Sequence, residues 1–145
     1  MIKLFCLILI CYYVLWLIVN YVRLIVTNSI ALNTFKELEK LFIKRYELFE
    51  NISSEGQKYI EELKTLPVGI KFLNRKLALN YIVTEIYKKE EMNESEGLAN
   101  INAEIFKLGQ IYNKRALKLK NLTEIFPASF YARFLRIKPI DFYVE

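Results

Sequence analysis

Between residues 4 and 19 the chain reads LFCLILICYYVLWLIV without a single charge, and residues 22 and 24–26 extend the run past Asn20 and Arg23. Roughly 20 helical residues at about 1.5 Å each cross a hydrocarbon core, so residues 2–22 suffice for one transmembrane helix. Arg23 then falls at the interface, where its long stem reaches the headgroups. Tyr12, Tyr13 and Trp16 lie near mid-span, which does not suit an interfacial aromatic belt. The rival reading is a cleaved signal peptide, with Lys3 as its positive start. Ile18, Val19, Tyr21 and Val22 are all bulky, so no small-x-small cleavage site follows. The expectation is a permanent anchor over residues 1–26 and one further domain over 27–145.

The flanks suggest an orientation. Lys3 and the terminal amine face Arg23, Lys36 and Lys40 on the other side, which places the C-terminal part in the cytoplasm of a single-pass cell-membrane protein. Both cysteines, Cys6 and Cys11, sit inside the run and cannot staple the rest; they read as small apolar side chains. Lipid modification at Cys11 is disfavoured by Ile10 just before it.

The formal net charge is +5, but setting Lys3 and Arg23 aside leaves nineteen basic against sixteen acidic residues. That balance is mild, and no nucleic-acid partner is expected. The distribution is uneven: seven Lys or Arg against Glu124 alone between residues 114 and 138, and six Glu against two Lys between 85 and 104.

Beyond the anchor the apolar spacing is helical. Leu32, Phe35, Leu38, Leu41, Phe42, Leu48, Phe49 and Ile52 form one face, opposed by Lys36, Glu37, Glu39, Lys40, Lys44 and Glu47. This helix is expected to continue from the anchor and to end near residues 53–56. A short helix follows over 57–66, stopped by Pro67. A third spans about 71–91, with Phe72, Leu73, Leu77, Tyr81, Thr84 and Tyr87 inward and the deepest position in the bundle. The last carries Ile101, Ile105, Leu108, Tyr112, Leu119, Leu122 and Phe126 at near-heptad, coiled-coil-like spacing, with Arg115 or Ala116 at its weak position. Asn93 and Glu96 suggest a capping box, and Pro127 a stop. With four Gly and no long alternating run, the fold class expected is all-α: an N-terminal transmembrane helix, then an antiparallel bundle of three to four helices.

Chemistry is sparse. The chain has no histidine, which removes the commonest general base and metal ligand and any Ser-His-Asp or Cys-His set. No Gly-rich phosphate loop is present. Glu90, Glu91 and Glu94 point in different directions on a helix and read as a solvated face. Sequons at Asn51, Asn93 and Asn121 matter only in a secretory lumen. No catalytic residue, cofactor, metal or small-molecule substrate is expected. Two features keep two readings each. The acidic-to-basic polarity of the last helix complements its dipole, or forms a basic surface extended by Arg133, Arg136 and Lys138 that meets anionic lipid or an acidic partner. Tyr112 fills the core with its hydroxyl tied to a neighbour, or it forms a ligand-contacting pair with Asn113.

Residues 111–143, IYNKRALKLKNLTEIFPASFYARFLRIKPIDFY, resemble the end of the LemA family. That family's pattern is a Tyr-Asn, a helix, Phe-Pro, an Ala five residues past the proline, and a closing Pro-x-x-aromatic-aromatic. Tyr112 and Asn113, Phe126 and Pro127, Ala132, Pro139, Phe142 and Tyr143 match it in order and spacing. Upstream, Leu41, Arg45, Tyr46 and Leu48 resemble its Leu-x-x-x-Arg-His-x-Leu segment, with Tyr46 for the His. The chain departs at Leu119-Lys120, where the family has a second Tyr-Asn, at Gly109-Gln110, where it has an Arg pair, and at Arg136-Ile137, where it has Gly-Phe. The resemblance implies a single-pass membrane protein with a long-helix bundle and no established enzymatic activity.

The function expected is a membrane-anchored helical scaffold or protein-docking module, contacting lipid through its anchor and a protein partner of unread identity. Its candidate surface is the segment 130–143, with Phe130, Tyr131, Phe134, Phe142 and Tyr143 amid Arg133, Arg136 and Lys138; these aromatics could equally cap the bundle end. The alternative is a membrane-surface lipid binder using this basic aromatic segment.

Overall fold

The computed structural model describes residues 2–49, 53–67, 70–89 and 96–144, and among these every regular element is an α-helix. They are α1 (Ile2–Glu47), α2 (Ser54–Thr65), α3 (Ile70–Lys89), α4 (Glu96–Glu124) and α5 (Ala128–Phe134). The tail after α5 runs extended.

α1 contains neither Gly nor Pro, so nothing interrupts its hydrogen-bond ladder over 46 residues. The continuity expected between the apolar run and the first amphipathic helix is present. Its early part is exposed and apolar, and this is the one helix among the described residues long and apolar enough to cross a membrane. Burial begins just past Arg23. Leu24, Thr27, Ala31, Thr34, Phe35, Leu38, Phe42, Arg45, Tyr46 and Phe49 follow at three- and four-residue steps and form the central strut of the core.

α4 packs antiparallel along this strut. Arg45 meets Asn102, Phe35 meets Tyr112, and Arg115 donates to Thr34 Oγ1, so positions rise on one helix as they fall on the other. The near-heptad stripe of α4 faces inward at Leu98, Ile105, Tyr112, Ala116, Leu119 and Leu122. Ala116 is fully buried at the position the spacing left weak. α3 runs parallel to α1, pairing Lys76 with Glu39 and Tyr87 with Phe49. α2 folds back on α3, where Arg75 Nη2 lies 2.6 Å from Glu62 Oε1.

Several expectations need correction. α1 ends at Glu47; Ser53 is instead the N-cap of α2, its Oγ accepting from Gly56 N at 3.4 Å, and Ser54–Gly56 form the first turn of that helix. Glu39 lies on the buried face of α1, because Lys76 neutralises it there. α3 is not the deepest helix. It turns Lys76, Asn80 and Thr84 inward with Leu73, Leu77, Val83 and Tyr87, which rotates Tyr81 out to solvent. Phe126 is exposed, since α4 has already ended at Glu124. α5 is an element not foreseen. The proposed cap residue Asn93, the sequon asparagines Asn51 and Asn93, and the cluster Glu90, Glu91 and Glu94 lie outside the described residues.

Candidate functional site

The nine residues singled out by the LemA resemblance fall into three places. Arg45 lies in the core. Tyr112, Asn113 and Tyr143 meet where the tail crosses α4, and Pro139 and Phe142 lie on the same tail beside α3. Phe126, Pro127 and Ala132 form the elbow between α4 and α5.

Arg45 is 1% exposed. Its Nη2 donates to Asn80 Oδ1 and to Thr84 Oγ1, both at 2.7 Å, and its Nη1 reaches Asn102 Oδ1 at 3.5 Å. Tyr46 donates its hydroxyl to the same Asn80 Oδ1 at 2.6 Å. The guanidinium carbon sits 5.7–5.9 Å from the ring centres of Phe42, Tyr46 and Phe49, which stabilise the charge by cation–π attraction. Three helices thus converge on one cation. Burial pushes the Tyr46 hydroxyl well above the usual phenol range, against the opposing pull of the Arg45 charge. Six residues toward the start of α1, Glu39 and Lys76 form a buried ionic pair. Both arrangements fix the register of α1 against α3, since a one-residue slip would strand a charge in the core.

The tail is strapped down by backbone hydrogen bonds. Asn113 accepts from Tyr143 N at 2.7 Å and donates to Tyr143 O at 2.9 Å, a two-point clamp on one residue. Tyr112 donates to Asp141 O at 2.9 Å, and Asn74 on α3 accepts from Asp141 N at 3.2 Å. The Tyr143 ring then stacks on Phe42, centroids 5.7 Å apart, directly over Gly109. A Cβ at position 109 would stand 2.4 Å from Tyr143 Cδ1, so only glycine admits the ring. The core reading of Tyr112 holds in geometry: it is fully buried, and burial, with a smaller push from Asp141, raises its hydroxyl above the ordinary phenol range. Pro139 and Phe142 remain on the surface.

At the elbow, Ala128 and Ala132 are buried and small, which brings α5 close to α1. The rings of Tyr131 and Tyr21 meet edge to face at 5.4 Å, and Phe126 lies against Trp16 at 6.2 Å. α5 closes with Ile137 N donating to Ala132 O at 2.8 Å across Arg136, whose φ is +55°. That is a Schellman-type ending, which normally takes glycine at the left-handed position. The aromatics of 130–143 therefore divide. Tyr143 closes the bundle, Tyr131 is half-buried, and Phe130 and Phe134 project outward.

Sequence reasoning placed Thr84 in the core without its Arg45 partner, and missed Glu39, Asn74, Lys76, Asn80, Asn102 and Gly109. The available signal was the row Lys76, Asn80, Thr84 at four-residue spacing within an apolar helix face, the pattern of a helix with an internal polar partner. Among the described residues no three His, Cys, Asp or Glu side chains converge as metal ligands would. Asn121, the one described sequon asparagine, is exposed. Compared with protein-family models, with curated proteins and with solved structures, the chain matches none of them.

Proposed function

We propose that this protein is a single-pass membrane scaffold of LemA-like type, holding a helical docking module against the cytoplasmic face of the bilayer without catalysis of its own. One observation carries the reading: the helix whose first half is apolar and exposed is also the central strut of the bundle. Bundle and anchor are therefore rigidly joined, with no flexible linker to decouple them. The LemA-like part is supported by two geometric coincidences. The matching Tyr-Asn and Pro-x-x-aromatic-aromatic segments, about thirty residues apart, bind each other. Arg136, standing where the family has Gly, adopts the left-handed conformation that glycine favours.

The surface offered to a partner lies away from the anchor, where Tyr81, Phe142 and Val144 are exposed along the groove between α3 and the tail. Photo-crosslinking from positions 81 and 142 of the full chain in native membranes tests this. The expected result is one recurrent stoichiometric neighbour; only diffuse capture from both positions would remove the docking role. Recovery of the chain in the alkaline wash of those membranes would remove the anchor as well.

A further inference from the structure

We propose that the α4–α5 elbow is a second membrane contact, in which Ile125, Phe126 and Phe130 insert into the leaflet that α1 enters from the bundle side. This rests on the reading of α1 as a membrane span and deepens it by naming what the elbow touches.

The first argument is length. The Phe126 ring lies against Trp16, seven residues deeper along α1 than Arg23, or about 10 Å of helix rise. Were the bilayer confined to residues before Trp16, the uncharged stretch between Lys3 and Trp16 would supply only about 18 Å against a core of about 30 Å. With the boundary at Arg23, residues 2–22 span about 31 Å and the tip of the elbow lies inside the apolar layer.

The second is surface chemistry. Ile125 and Phe126 are each 62% exposed, Phe130 63% and Phe134 79%, and the Phe126 ring lies against Trp16 in the part of α1 that is itself exposed and apolar. Covering such side chains with lipid removes apolar surface from water, which is favourable in proportion to the area covered. The turn is also suited to leaving water. The Ile125 carbonyl accepts from Ser129 N at 2.8 Å, the Pro127 carbonyl accepts from Phe130 N at 3.1 Å, and Pro127 has no N–H to satisfy.

The third is charge. Above the tip, a cleft of about 320 Å³ between α1 and α4 carries Arg23, Lys114 and Lys118 and no acid in its lining. Arg133 and Arg136 flank the elbow on α5 and just beyond it. Cations ringing an apolar wedge complement lipid phosphates above acyl chains. Glu124, immediately before the wedge, limits its depth by keeping its carboxylate at headgroup level.

The test uses the full chain with Cys6 and Cys11 changed to alanine, in vesicles of phosphatidylcholine and phosphatidylglycerol. Single cysteines at Ile125, Phe130, Leu9 (span) and Lys58 (exposed on α2) carry a solvent-sensitive dye, and helical circular dichroism confirms folding of each variant. At 125 and 130, blue-shifted emission and quenching by acyl-chain nitroxides are expected to approach those at Leu9 and to exceed those at Lys58 several-fold. If Leu9 is quenched while 125 and 130 answer to aqueous iodide like Lys58, the wedge is overturned and the span stands. If 125 and 130 resist both quenchers, a protein surface covers the elbow and the lipid assignment is wrong. If Leu9 itself answers to iodide, the span fails and the wedge with it.

Discussion

The two halves of α1 share one backbone helix and meet opposite fates. From Leu4 to Val19 the side chains are apolar all round and nearly all exposed; after Arg23 they form a stripe, and that stripe buries Glu39 and Arg45 along with Phe42 and Leu38. A helix without polar relief on any side calls for an apolar solvent, whereas a striped one calls for partner helices. Polarity tolerated in the second half would be ruinous in the first, because only the second has Lys76, Asn80 and Thr84 opposite it.

The sharpest way to break this contrast is to put charge into the first half. L9R/L15R should disfavour insertion by about 2.5–3.5 kcal/mol per arginine and release the chain from membranes, read as its fraction surviving alkaline extraction. In the second half the charge is already present and paired. K76M leaves the Glu39 carboxylate buried alone and should cost about 3–5 kcal/mol in the denaturant midpoint of the micellar chain. E39M/K76M should recover most of that loss, since two apolar side chains replace the pair. If the double variant is as unstable as K76M, the pair does not act through desolvation.

The strap offers smaller effects. G109A forces the Tyr143 ring off α4 and should destabilise by about 1–3 kcal/mol, with earlier proteolysis of the tail. R136G should act in the opposite direction, relieving about 1 kcal/mol of left-handed strain at the end of α5. Y112F removes one hydrogen bond to Asp141 O and should cost about 1 kcal/mol near neutral pH. It also has a pH signature. Because the folded state raises the hydroxyls of Tyr46 and Tyr112, their contribution is complete below the unfolded phenol value of about 10 and is lost as pH rises toward the folded one. Above that point the unfolded chain sheds protons that the native chain keeps, so wild-type stability falls. The deficit of Y112F should narrow between pH 9 and 11, measured as urea midpoints.

How much of this was legible follows from range. The apolar run, the main apolar stripes of α1 and α4, the stop at Pro67 and the core position of Tyr112 are local or periodic features, and they read correctly from residue spacing. Glu39 was assigned to solvent because a carboxylate in isolation belongs there, and only a lysine 37 positions away reverses that. Phe126 continued an apolar stripe in sequence, yet the helix ended two residues before it. The strap was visible as two matched motifs, but not as a contact, because sequence order does not say that Asn113 meets Tyr143.

By itself the sequence determined an all-helical chain with a membrane-span-length start and a bundle behind it, since hydrogen-bond periodicity and side-chain polarity act over one or two turns. Tertiary structure alone decided which charges could be buried, where the tail is tied, and that the elbow descends beside Trp16. Each of those depends on groups tens of residues apart removing water from one another, and no local rule carries that information.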